Sequence, residues 1–250
     1  MTERLLQIKK MLFEKKKVNV LELSEYFQVS KVTIRHDLSL LEQEHFARRV
    51  HGGAILVPTS DDALRTEEEK EDPILNRIAR QACSFIHDGD FILLGPGLTC
   101  YTLAAQLKQF SDLCVFTNNL SAVDVLVENH IRVFLMGGEI LADRHPLLQT
   151  CPSALGISAD YMYSLKLFAS VSGIDLHAGL TVPYRETADL LSHMQNSARN
   201  RFLLADHTKY DQISVYSTGN TQNITHLITD SIPQKYVSFF QRIGTQIHIA

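Results

Sequence analysis

Over the first 57 positions, apolar residues recur at helical spacing and are interrupted by short turns. Leu5, Leu6, Ile8, Met11, Leu12 and Phe13 share a helical face, which predicts a first helix over residues 3–15. Residues 18–20 read as a short extended piece. Asn19 is placed to cap a second helix over residues 20–27, where Leu21, Leu23, Tyr26 and Phe27 supply apolar contacts. After the tight connection Gln28-Val29, Ser30 is a good N-cap for a third helix running to about Glu44. Ile34, Leu38 and Leu41 fall at i, i+4 and i+7 and predict its buried face. Lys31, Thr33, Arg35, His36 and Ser39 are left largely on the other side. Two extended runs around His51-Gly52-Gly53 predict a hairpin.

From about Leu75 the period changes. A helix carrying Ile78, Ala82, Phe85 and Ile86 leads to a strand over residues 91–94, a glycine-containing loop over 95–99 and a helix over 101–107. A strand over 113–116, a helix over 120–128 and a strand over 132–135 follow, the last ending in Gly137-Gly138. Further strands are predicted over 167–171, 201–205, 226–228 and 246–249. Strands alternating with helices predict an α/β domain built on a mostly parallel sheet. Between the two patterns, residues 58–75 start at Pro58, carry the acidic run Glu67 to Glu69 and end near Pro73, which reads as an exposed linker. The expected plan is therefore a helical head over 1–57, an acidic linker over 58–75 and an α/β body over 76–250.

Composition narrows this picture. The chain has 250 residues, 45% hydrophobic and 21% charged, which suits one or two globular domains and excludes disordered or collagen-like classes. No apolar run reaches the ~18–20 residues of a membrane helix, and charge interrupts any signal-like core at the N-terminus, so a cytoplasmic location is the default expectation. The net charge of −4 is uneven: the head has ten Lys and Arg against seven Asp and Glu, and the linker two against seven. A basic head suits a polyanionic partner. Cys83, Cys100, Cys114 and Cys151 are too widely spaced for a metal pair and too few for a disulfide framework, so they read as reduced, mostly buried side chains. No two of His36, His45, His51, His145, His177, His193 and His207 share a face at metal-ligand spacing, so neither a metal nor a cofactor is expected.

The chemistry concentrates in two places. A helix–turn–helix lays its second helix in the major groove with the residues near its start at base edges. In Ser30-Lys31-Val32-Thr33-Ile34-Arg35, the hydroxyls suit phosphates or bases and the guanidinium suits guanine O6/N7. The hairpin would act as a wing, with Arg48, Arg49 and His51 on backbone or minor groove. In the body, the strand–loop–helix context of residues 95–99 exposes backbone N–H groups at a helix start, which suits a phosphate. Gly97, Thr99, Thr117, Asn118, Gly137 and Gly138 all follow predicted strands, where ligands of open α/β sheets collect. Lys209 can supply a cation.

These residues also carry a resemblance. The stretch LSEYFQVSKVTIRHDLSLLEQEHFARRVHGGA resembles the winged helix–turn–helix of DeoR-family bacterial transcription regulators, whose pattern runs approximately V-S-x-x-T-I-R-R-D-L-x-x-L-E and then R-x-H-G-G-A. His36 stands where a second Arg is usual. FIHDGDFILLGPGLT, FTNN, MGGE, SGIDLHAGLT and LLADHTKY resemble further family segments in order, so the likeness covers nearly the whole chain. It implies a repressor, or sometimes an activator, of a carbohydrate-utilisation operon. The implied body is an effector domain related to ribose-5-phosphate isomerase and CoA-transferase folds that senses a phosphorylated sugar or sugar derivative. The body departs from the pattern at several polar positions: Gly95 replaces the usual Asp, Pro96 precedes the glycine, Leu98 replaces a Thr and Asn119 a Ser. Val182 ends the G-L-T-T run, and Leu191 stands where a Lys is frequent.

Two other readings remain open on sequence. One is an isomerase-like enzyme with a DNA-binding head, with Glu139, Asp175, Glu186 and Asp206 as candidate bases. The other is a DNA-binding protein that responds to no ligand, which the lost polar groups favour. Signatures of nucleotide hydrolases, zinc proteases and serine hydrolases are absent, and the regulator reading expects no catalysis. One winged head buries little DNA surface, so tight operator binding calls for a homo-oligomer, a dimer or tetramer.

Overall fold

The computed structural model describes residues 3–43, 46–56, 72–140, 148–150, 165–219 and 221–250. The linker positions 58–71, with Glu67 to Glu69, lie outside the described residues, as do His45, His145 and Cys151. The chain divides into two compact units, residues 1–63 and 64–250.

The first unit contains α1 (Glu3–Lys15), β1 (Lys17–Asn19), α2 (Val20–Tyr26), α3 (Lys31–Gln43), β2 (Ala47–Val50) and β3 (Gly53–Leu56). Both expected caps form: Asn19 Oδ1 accepts from Leu21 N–H at 2.8 Å, and Ser30 Oγ accepts from Thr33 N–H at 3.1 Å. The core joins Leu5, Ile8 and Leu12 of α1 to Leu23 of α2 and Ile34, Leu38 and Leu41 of α3. The strands form an antiparallel sheet in the order β1-β3-β2, with the hairpin closing at the Val50–Gly53 pair. Gly53 is required here, because a Cβ on it would lie 2.0 Å from the Val18 carbonyl oxygen across the β1–β3 pair.

Within this core lies an unexpected charge. Asp37 of α3 is buried and accepts from Arg4 through Nε at 2.6 Å and Nη2 at 3.1 Å. The two-pronged contact clamps α1 to α3 and supplies the partner that a buried carboxylate needs.

The second unit adds α4 (Pro73–Cys83), β4 (Phe91–Leu94), α5 (Leu98–Ala105), β5 (Cys114–Thr117), α6 (Leu120–Glu128), β6 (Arg132–Leu135), β7 (Gly138–Ile140) and β8 (Leu148–Thr150). It continues with β9 (Leu165–Ser170), β10 (Gly173–Asp175), β11 (Gly179–Val182), α7 (Arg185–Ser197), β12 (Asn200–Leu204), β13 (Tyr216–Ser217), β14 (His226–Thr229), α8 (Gln234–Arg242) and β15 (Gln246–Ile249). Seven strands form one sheet in the order β15-β14-β12-β9-β4-β5-β6, and every pair in it is parallel. The two sheet faces bury separate cores, as a sheet covered on both sides requires. Ile92, Leu94, Phe168 and Phe202 pack against α4, α5 and α6, while Leu93, Leu167, Ala169 and Leu203 pack against α7 and α8. A small antiparallel sheet, β10-β11-β13, and the β7–β8 pair complete the unit.

Two expected boundaries move for identifiable reasons. Helix α4 starts at Pro73, inside the segment read as linker, because Asp72 Oδ1 accepts from Ile74 and Leu75 N–H and Pro73 needs no partner at N1. Helix α5 starts at Leu98, three residues early, with Gly97 as its cap. The anticipated five-residue loop therefore shortens to Gly95, Pro96 and Gly97. Cys83, Cys100 and Cys114 are buried free thiols, and burial pushes the Cys83 thiol up to about 11, which keeps it protonated and inert.

At the opposite end of the sheet, His226 and His248 share a hydrogen bond of 3.1 Å and pack on Phe85, with His226 also stacked on Phe202. Burial holds both imidazoles below the usual value, and the proximity of His248 adds to the effect on His226. The folded state thus takes up these protons at lower pH than the unfolded chain. Stability from this pair is complete above the ordinary histidine value of about 6.5 and is lost as pH falls below it. The urea midpoint is expected to drop further between pH 7.5 and 5.5 in the wild type than in a His226→Gln, His248→Gln chain. An equal drop would show that other groups carry the acid sensitivity.

Candidate functional site

The exposed face of α3 forms opposite its core positions. At 100° per residue, Ile34, Leu38 and Leu41 fix the inner face and place Val32, His36 and Gln43 on the outermost stripe, with Arg35 beside it. Lys31, Val32, Arg35 and His36 are exposed, and Thr33 is half-buried. Ser30 and Thr33 have a different task from the one their hydroxyls suggest: their Oγ atoms lie 2.9 Å apart, and Ser30 also caps the helix. These two hydroxyls hold the helix start, and Lys31, Arg35 and His36 present the free chemistry. Ahead of them, Ser24 Oγ donates to Val29 O at 2.6 Å, and Gln28 takes a left-handed φ of 52°, which closes the turn between α2 and α3.

The hairpin is anchored to the same helix. Arg49 N–H donates to Glu42 Oε1 at 2.9 Å, which fixes β2 against the end of α3. Arg48, Arg49 and His51 are all exposed, and Gly52 takes the left-handed φ of 82° that the two-residue loop demands. All eight head residues expected from sequence thus belong to α3, its cap or the hairpin.

In the second unit, every expected effector residue follows the C-terminal end of a parallel strand or starts the element after it. Parallel strands bring these ends to one edge, and β12, β9, β4, β5 and β6 are consecutive neighbours. Gly97 caps α5 with a φ of 97°, a conformation that β-carbon-bearing residues rarely adopt. Thr99 is buried in the first turn of α5. Asn119 Nδ2 donates to Gly97 O at 3.0 Å, and Thr117 Oγ1 donates to Leu94 O at 2.8 Å while accepting from Asn119 N–H at 3.0 Å. The Thr117 hydroxyl is therefore engaged in joining the loops after β4 and β5. Asn118 is buried between Thr117 and Asn119, and Gly137 is exposed after β6. Gly138 opens β7, which pairs with β8.

Lys209 lies in the short helical turn after β12, half-buried, with Nζ 3.9 Å from Asp206 Oδ2. Next to it, His207 Nδ1 lies 2.6 Å from Asp230 Oδ2 at the end of β14. Sequence reading missed Ser170. It ends β9, is buried, and sets its Oγ 3.4 Å from where a Cβ on Gly97 would lie. Its signal was topological: the loop after β9 must flank the loop after β4 once the two strands pair.

Carboxylates at this edge serve as caps. Asp175 Oδ1 accepts from His177 and Ala178 N–H at 2.8 Å, and Asp206 Oδ1 accepts from Thr208 N–H at 2.9 Å. Glu186 is half-buried in the first turn of α7, and Glu139 lies in β7, whose side chains are outside the described set. Among the described residues, no three His, Cys, Asp or Glu side chains come together as a metal site, and no helix is long and apolar enough to cross a membrane.

Comparison with known proteins matches both units. Residues 4–60 match the model of the DeoR-like helix-turn-helix domain, and residues 70–231 match the DeoR C terminal sensor domain. The chain is 31% identical to the HTH-type transcriptional repressor GlcR of Bacillus subtilis, covering 98% of this chain and 95% of that one. It is 32% identical to the HTH-type transcriptional regulator GolR of Listeria innocua, over 99% and 98%. It is 30% identical to the lactose phosphotransferase system repressor of Staphylococcus aureus, over 91% of each. Among solved structures, eIF2B delta from Chaetomium thermophilum aligns with a TM-score of 0.47 and 19% identity over 64% of this chain and 56% of that one. A D-ribose-5-phosphate isomerase in complex with phospho-erythronic acid aligns at 0.40 and 17%, over 58% and 55%. With a helix–turn–helix domain, a sensor domain and full-length relatives that are transcriptional regulators, the chain belongs to the DeoR family of transcriptional regulators.

Proposed function

We propose that this regulator represses a carbohydrate-utilisation operon and that a phosphorylated sugar or sugar derivative, bound at the C-terminal edge of the large sheet, sets its affinity for operator DNA. The observation that carries the reading is the gathering at that edge of the Gly97-capped start of α5, the glycine and amide loops after β5 and β6, and Lys209. A helix start offers bare N–H groups and the positive end of a dipole, and an ammonium adds charge. Gly97, Thr99, Thr117, Asn118, Gly137, Gly138 and Lys209 would line the site, with Thr117 acting through the loops it joins. Ser30, Lys31, Thr33, Arg35 and His36 would read DNA, Arg48, Arg49 and His51 would support the grip, and Ser30 and Thr33 would hold the helix start. A cytoplasmic homo-oligomer, dimer or tetramer, would present two heads to a two-fold operator.

A ligand moves the DNA-bound population only through unequal affinity for the free and bound states. Binding to a labelled fragment of the chain's own upstream region, at fixed salt with a sugar-phosphate panel, therefore tests the reading. At least one compound is expected to shift operator affinity, and Gly97→Val is expected to abolish that shift while leaving ligand-free DNA binding within a factor of two. The added side chain would meet Ser170 Oγ in a disfavoured φ. Turnover of a panel compound would instead support an enzyme.

One observation favours a second reading, a DNA-binding protein without an effector. A Cβ on Gly95 would lie 3.4 Å from Leu191 Cδ2, so two positions that are frequently charged in the family meet here as an apolar contact. Operator binding that no compound moves would support it.

A further inference from the structure

We infer that Val32 is a base-reading position, taking the C5-methyl group of a thymine in the major groove. The inference rests on α3 as the reading helix and adds a residue to it. Val32 is 70% exposed in the first turn of α3, the part of a recognition helix that meets base edges. Single exposed apolar residues are ordinary on protein surfaces, so exposure alone carries nothing. Its surroundings do: Lys31, Arg35 and His36 are all exposed around it, and His36 lies one turn on along the same outer stripe.

Valine has a cost at this place. It is a weaker helix former than the polar residues beside it, and it exposes apolar surface that a Lys or Gln would not. It also has a use there. In a helix it holds essentially one rotamer, so docking freezes little side-chain freedom. It can neither donate nor accept a hydrogen bond, so a guanine, cytosine or adenine edge placed against it would lose its water partners without replacement. The thymine methyl is the one apolar group that base pairs show in the major groove.

The test uses the full chain and an operator obtained by selection from random duplexes. Each thymine is replaced singly by uracil, which removes the methyl group and leaves every hydrogen-bonding edge intact. Wild type is expected to lose about fourfold in affinity at one thymine per half-site, which corresponds to the ~0.8 kcal/mol of one buried CH2-sized group. Val32→Ala is expected to lose a similar factor on the thymine duplex and to be indifferent to uracil at that position. Circular dichroism checks that the variant folds, as an exposed residue allows. A selected operator at which no thymine-to-uracil change distinguishes wild type from Val32→Ala overturns the role of Val32 alone. If no sequence is selected, α3 as a reading helix is overturned as well.

Discussion

Gly95→Asp is expected to destabilise the sensor unit by about 3–5 kcal/mol, the range for a buried charge left without its partner. Gly95 is buried at the end of β4, where its N–H donates to Phe168 O at 2.9 Å. A Cβ there would lie 3.3 Å from Ala169 Cα and 3.4 Å from Leu191 Cδ2, tight against backbone on one side and a hydrocarbon on the other. The carboxylate would then point into side chains that offer it no hydrogen bond. Leu191→Lys is expected to recover about 1–3 kcal/mol in the double variant, since residues in contact couple by that order. Urea unfolding of the four chains followed by circular dichroism gives the cycle. If Gly95→Asp unfolds at the wild-type midpoint, the carboxylate reaches water, and the strand end is more open than this packing indicates.

That pair also shows what sequence can and cannot display. Gly95 and Leu191 are each visible as departures from a pattern, but they are far apart in the chain, and only the packing of α7 on the sheet makes them one event. The same holds for Asp37. A carboxylate on an amphipathic helix reads as solvated, and nothing local announces that Arg4, 33 residues away, clamps it inside the core. By contrast, the helices of the head and the strands of the large sheet were legible because their signals are local. Asn19 and Ser30 cap within three residues, Ile34, Leu38 and Leu41 repeat at the helical period, and β6 and β15 fall where short apolar runs place them.

Elements that carry no local period were not predicted. Strands β10, β11 and β13 have two to four residues each, too few to show alternation, and they exist through pairing. Helix α7 buries Thr187 and Gln195 along with Ala188, Leu191 and Met194, so polar positions interrupt its apolar stripe. Helix α8 is nine residues long and buries only Tyr236 and Phe240. In the candidate sites, residue types pointed to the right loops and helix, but hydrogen bonding sorted their tasks. Ser30, Thr33 and Thr117 hold backbone in place, and Ser170 entered only through strand order.

Arg35→Ala is expected to weaken specific operator binding by about 1–3 kcal/mol per head and to relax the choice of base at one position. The side chain is exposed one turn into α3, past the residues spent on the cap, and the guanidinium fork matches the O6 and N7 atoms of guanine. A contact to phosphate alone would behave differently. Affinity would then fall evenly for specific and random duplexes, and the slope of log K against log salt would flatten by about 0.9 for the lost contact. That second pattern is what Arg48→Ala and Arg49→Ala are expected to give, since the wing holds both residues on its exposed face. Comparing affinities for operator and random DNA over a salt series separates the two cases. Unchanged discrimination in Arg35→Ala would remove this residue from base reading and leave it a backbone contact. Because a two-fold site engages α3 twice, the loss on a full operator should be near double that on a single half-site. A ratio close to one would mean that only one head of an assembly reads its bases at a time.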